Sequence, residues 1–133
     1  MFENFYLNLQ KNYFKTINNF FNLHTINSTE CKQDLIVLKQ ILYSEIPPST
    51  NFLKNSLQII FNLDLRSDIS FLSIPILRIY GSLDNLIPIK IAKILDKKWP
   101  KTRSIIIKKS GHIPFVSHKI EFCCKLLDFL KLF

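Results

Sequence analysis

Ile74-Pro75-Ile76-Leu77-Arg78-Ile79-Tyr80-Gly81-Ser82-Leu83-Asp84 decides how the rest of the chain is read. Its first seven residues form a short, mostly apolar run that Gly81 ends, which is the pattern of a buried strand. Pro88 opens a helix carrying Ile91, Ile94 and Leu95, and the helix must stop before Pro100. Ser104-Ile105-Ile106-Ile107 repeats the buried-strand pattern, and Gly111 breaks it. A last helix is expected from about Ser117 to Leu132, with Ile120, Cys123, Leu127 and Leu130 on its inner face. Strand, helix, strand and helix joined by short links make a right-handed βαβ unit, so the strands should pair in parallel. The fold class is α/β, a βαβα unit with two parallel strands.

Upstream of this unit the period changes from strand to helix. Phe5, Leu9, Tyr13, Ile17 and Phe21 recur every four residues, with Phe20 and Leu23 widening the stripe, which predicts a first helix. Asn27 and Glu30 have capping-box spacing and start a second, through Leu35, Leu38, Ile41 and Leu42. Pro47-Pro48 stops it, and Ser49 or Thr50 caps a third with Leu53, Leu57 and Ile60 inward. The expected division is a helical segment over 1–63 and an α/β segment over 64–133.

Composition narrows the function classes. Nearly half the residues are apolar, so a packed core is expected. The start shows no basic region followed by an apolar run, and no stretch approaches about 18 uninterrupted apolar residues. Neither a signal peptide nor a membrane partner is therefore expected. Cys31, Cys123 and Cys124 are odd in number and two are adjacent, which suits a reduced, cytoplasmic setting and thiols in or near the core. The net charge of +8 concentrates in Lys90, Lys93, Lys97, Lys98, Lys101, Arg103, Lys108 and Lys109. Such a cluster is a solvated face or a surface for an acidic partner. No nucleic-acid motif accompanies it, and no nucleic-acid partner is expected. His118 and the cysteine pair do not have the spacing of a tetrahedral site on one helix face, and His24 reads as a satisfied or exposed histidine of the first helix. No metal and no cofactor are expected.

Asp84 and His112 carry the chemistry. Each follows a strand of the parallel pair, so both loops leave the same carboxyl edge, where sites form in open α/β sheets. A carboxylate there accepts the imidazole Nδ1–H, fixes the tautomer and stabilises the imidazolium formed when Nε2 takes a proton. The order acid then histidine, with a nucleophile earlier, is that of one class of serine hydrolase.

The residues flanking the pair resemble a family. Tyr80-Gly81-Ser82-Leu83-Asp84-Asn85-Leu86-Ile87-Pro88 resembles the acid loop of α/β-hydrolases. Leu95-Asp96-Lys97-Lys98-Trp99-Pro100, and Gly111-His112-Ile113-Pro114-Phe115-Val116-Ser117-His118 with Glu121-Phe122, are similar to the pimeloyl-[acyl-carrier protein] methyl ester esterases of biotin synthesis. Leu23-His24-Thr25, Gln33-Asp34 and Asp64-Leu65-Arg66 extend the similarity into the helical half. The resemblance implies the C-terminal portion of an α/β-hydrolase, a helical lid followed by the last two strands. It implies a carboxylic ester hydrolase whose catalytic residues include Asp84 and His112. It implies further that Phe20 lines the acyl tunnel and that Lys15 and Lys32 meet an acidic acyl-carrier protein bearing a pimeloyl methyl ester. Asn19 and Ile36 stand where further arginines are expected.

One requirement is not met within the 133 residues. A nucleophile elbow needs Gly-x-Ser-x-Gly, because the strained turn around the serine tolerates almost no side chain. The glycines are Gly81 and Gly111 alone, far apart in sequence. These residues by themselves are expected to be inactive, and an N-terminal hydrolase fragment is a candidate partner. Two other readings stay open at this point. One is a non-catalytic remnant or basic helical module binding an acidic partner; the other is a lid-bearing hydrolase of different acyl specificity.

Overall fold

The computed structural model describes residues 2–26 and 31–133. Four helices come first: α1 (Phe2–Lys11), α2 (Tyr13–Thr25), α3 (Cys31–Ser44) and α4 (Thr50–Asn62). A turn of 3₁₀ helix at Asp68–Phe71 leads into β1 (Leu77–Gly81), α5 (Lys90–Lys98), β2 (Arg103–Ile107), α6 (Pro114–Ser117) and α7 (Lys119–Leu130).

The apolar stripe from Phe5 to Phe21 is not one helix but two. Asn12 is extended (φ −158°, ψ 92°), and its side chain accepts the Lys15 N–H at 3.0 Å as the N-cap of α2. In a continuous helix Phe5 and Phe20 would stand about 22 Å apart. Their ring centroids are 5.4 Å apart, so α1 folds back along α2. Periodicity alone misses this, because an i, i+4 stripe supports a helix and its folded-back half equally well. Among the described residues of the helical half, Leu9 and Leu42 are the buried apolar side chains. The expected cap at Asn27 and Glu30 lies outside the described residues. Ser49 caps α4 through the Phe52 N–H at 3.3 Å. Leu53 and Leu57 turn inward as expected, but Ile60 is 64 % exposed.

β1 and β2 pair in parallel, in register from Leu77 opposite Arg103 to Gly81 opposite Ile107. The first strand begins at Leu77 rather than Ile74, after a proline that has no N–H to give a ladder. Arg78 locks the start of this unit. Its guanidinium donates to Thr102 Oγ1 (2.9 Å), the Tyr80 hydroxyl (2.9 Å) and Asp96 Oδ1 (2.7 Å), and lies over the rings of Tyr80 and Trp99. Buried Trp99 in turn donates its indole N–H to Arg66 O at 3.1 Å, tying the end of α5 to the segment before β1.

α7 presents the opposite face from the one expected. Phe122, Leu126 and Phe129 are half-buried, whereas Ile120 is 82 % exposed, and Leu127, Leu130, Cys123 and Cys124 are exposed too. The helix is apolar on two faces, and a two-stranded sheet can cover only one of them. The Cys123 and Cys124 thiols, expected in or near the core, are therefore on the surface. Among the described residues no helix is long and apolar enough to cross a membrane.

Candidate active site

The two strands end together, and the loops that follow are laced to each other. Ser82 N–H donates to Ile107 O (2.9 Å), Leu83 N–H to Ser110 O (2.8 Å), and Lys109 N–H to Ser82 Oγ (2.8 Å). Gly81 is required at the crossing, since a Cβ there would overlap the carbonyl oxygen of Gly111. The resulting crossing brings together residues 28 positions apart.

Asp84 is the better-held partner. Its Oδ1 accepts the backbone N–H groups of Leu86 (2.8 Å) and Ile87 (3.0 Å), an Asx turn that fixes the carboxylate plane. Its Oδ2 accepts from His112 Nδ1 at 2.8 Å. The Asp84 side chain is 4 % exposed and that of His112 is 32 % exposed. Thus the carboxylate is shielded while the imidazole keeps an open side. With Nδ1 donating to Asp84, a neutral His112 carries its lone pair on Nε2. That is the tautomer a general base needs.

The loop after His112 is pinned independently. Fully buried Ser110 shares a hydrogen bond with Ser117 Oγ (3.1 Å), which lies 2.8 Å from His118 Nδ1. The hydroxyls of Ser82 and Ser110 thus hold the loops together, and each is engaged in that work.

α2 completes the site. His24 is buried, and its carbonyl accepts the His112 backbone N–H at 3.2 Å. Its ring meets that of His112 edge-on at 4.6 Å and lies 3.9 Å from the ring of Phe20. Burial, more than any neighbour, pushes the His24 imidazole below its ordinary pKa, and nearby His112 acts in the same direction. Phe20 in turn lines a groove of about 340 Å³ between α2 and α3, with Tyr13, Ile17, Leu38 and Ile41. The structure therefore joins Asp84, His112, His24 and Phe20 in one continuous line. Lys15 and Lys32 are exposed on α2 and α3, and neither is in an ion pair among the described residues. His24 had no signal of its own in the sequence, because its contact with His112 spans 88 positions and follows from packing alone.

A profile of the alpha/beta hydrolase fold matches residues 32–119. The chain belongs to the α/β-hydrolase family. Among its curated relatives are pimeloyl-[acyl-carrier protein] methyl ester esterases of three bacteria. That of Photorhabdus laumondii is 40 % identical over 91 % of this chain and 46 % of its own length. Those of Hamiltonella defensa and Klebsiella pneumoniae are 40 % and 41 % identical, over 87 % and 90 % of this chain and 45 % and 46 % of their own lengths. A bromoperoxidase from Bacillus anthracis shares the fold, with a TM-score of 0.78 over 98 % of this chain and 48 % of that one, at 21 % identity. This α/β-hydrolase chain spans about half the length of the curated relatives it matches.

Proposed function

We propose that this chain supplies the acid–base half of a carboxylic ester hydrolase that acts on a pimeloyl-[acyl-carrier protein] methyl ester. The Asp84–His112 hydrogen bond carries the reading, because the carboxylate is shielded, doubly anchored and aimed at Nδ1. A basic module built to bind an acidic partner has no need of that arrangement. The lid assignment for 1–63 and the core assignment for 64–133 belong to the same proposal, with a reducing, cytoplasmic setting.

The chemistry runs through Nε2 of His112. A serine from an N-terminal hydrolase segment with Gly-x-Ser-x-Gly gives its proton to Nε2 while its oxygen bonds to the ester carbonyl carbon. Asp84 stabilises the imidazolium. The imidazolium returns the proton to the departing methoxide, releasing methanol and leaving an acyl-serine. Water then bonds to the acyl carbon as Nε2 takes its proton, and the imidazolium returns that proton to the serine oxygen as the acyl–serine bond breaks and the free carboxylic acid leaves. Phe20 and the groove it lines are suited to an apolar acyl chain leading away from His112. Lys15 and Lys32 offer positive charge on the same helices for an acidic carrier, without the arginines expected at Asn19 and Ile36.

Co-expression of this chain with the N-terminal half of a relative such as the Photorhabdus laumondii esterase tests the reading. The complex should hydrolyse a short-chain methyl ester, and His112→Ala should abolish that activity. Hydrolysis that survives His112→Ala would remove the assignment.

A further inference from the structure

α2 carries a buried histidine that the acid–base pair does not itself require. The His24 ring is fixed by a hydrogen bond from Nδ1–H to Phe20 O at 2.7 Å and by the Phe20 ring at 3.9 Å. Its backbone carbonyl receives the His112 N–H, and its ring stands edge-on to His112 at an interplanar angle of 67°. Edge-to-face is a favoured arrangement of paired rings. Asp84 holds His112 by one nitrogen only, and a single hydrogen bond leaves an imidazole free to tilt about the Nδ1···Oδ2 line. A rigid second contact on the ring removes that freedom.

We infer that His24 is a positioning residue for His112, its edge-on ring fixing the direction in which Nε2 points and so tying the base to the seating of α2. This rests on His112 being the base. Among the described residues, the charged and titratable groups in contact with the His112 ring are Asp84 from the loop after β1 and His24 from α2. A protonated His24 would oppose the imidazolium that forms on His112, whereas a neutral ring braces it without that cost. Burial favours the neutral form, in agreement with the bracing role.

The test reads the His112 Nδ1–H proton by NMR in the whole chain labelled at histidine, with the resonance assigned by its loss in His112→Gln. Its exchange with solvent is compared in the unaltered chain, His24→Gln and His24→Phe. Gln keeps a donor for Phe20 O but has no ring; Phe keeps a ring but has no donor. Exchange should quicken about three- to tenfold in His24→Gln and change less than about twofold in His24→Phe, matching the worth of one aromatic contact. Unchanged exchange in His24→Gln, or equal acceleration in both variants, would overturn the inference. Should His24→Gln lose its helical circular dichroism, His24→Asn replaces it with the same expectation. In the co-expressed complex, His24→Gln should lower kcat by a similar factor with KM within about twofold. The exchange measurement needs no turnover. Ester hydrolysis insensitive to His112 would therefore sink the proposed function and leave His24 as a brace of the ring without a base to aim, whereas unchanged exchange would sink the role of His24 alone.

Discussion

Gly81 lies against the backbone of Gly111, at the point where the loops from the two strands cross. A Cβ on Gly81 would overlap the Gly111 carbonyl oxygen and stand 2.5 Å from that of Ser110. Both contacts are backbone, so neither can swing aside as a side chain would. Gly81→Ala is expected to cost about 3 kcal/mol, at the upper end for overpacking, and to part Asp84 from His112. Urea denaturation reads the first effect, and loss of the His112 Nδ1–H resonance reads the second. A stable Gly81→Ala chain that retains the resonance would show that the crossing is looser than these distances describe.

Asp84→Asn separates holding from charge. An Asn oxygen can still accept from Leu86 and Ile87, so the turn and the fold should survive with little change in the denaturation midpoint. The charge that stabilises an imidazolium is lost, and the amide can set the wrong tautomer. In the co-expressed complex kcat should fall about 10⁴-fold, with KM largely retained. Loss of only a few-fold would make Asp84 a turn residue and no more.

What could be read in advance was local. Gly81, Pro88, Pro100 and Gly111 punctuate the chain through their own backbone chemistry, and they bound both strands and the helix between them. Asp84 and His112 were legible because strand order alone puts both loops at one edge. Packing choices were not legible. Asn12 can break a helix or sit within one, and only the return of α1 onto α2 decides it. The exposed face of α7 is as apolar as the buried one, so its period could not say which side meets the sheet. His24 reads as an ordinary helix histidine until α2 and the loop after β2 are seen in contact.

The lowered pKa of His24 makes stability depend on pH in one direction. Its folded-state value lies below the ordinary 6.5, so between the two values the unfolded chain binds more protons than the folded one. The contribution is complete above pH 6.5, diminishes as pH falls below it, and is lost once pH has passed through the lowered folded value. Urea midpoints measured from neutral pH downward should therefore fall from about pH 6.5, and those of His24→Phe should fall less over the same window. Equal slopes for the two chains would mean that His24 takes up its proton as readily in the folded chain as in the unfolded one.

The surface of the chain bears on how it behaves alone. It exposes 9748 Å², against about 7,300 Å² for a compact monomer of its mass. The excess includes Ile106 within β2, and Phe71, Ile74, Ile120, Leu127 and Phe133, which precede or follow the strands. Two parallel strands with no further strand at either edge among the described residues also leave ladder groups open to further pairing. Sedimentation of the isolated chain should show concentration-dependent self-association, and a dye that reports apolar surface should bind it. Co-expression with the N-terminal half of a relative should suppress both, because strands added beside β1 would use the same groups. A monomer at all concentrations, with a sharp cooperative thermal transition and no dye binding, would show instead that two strands of five residues each suffice as a sheet.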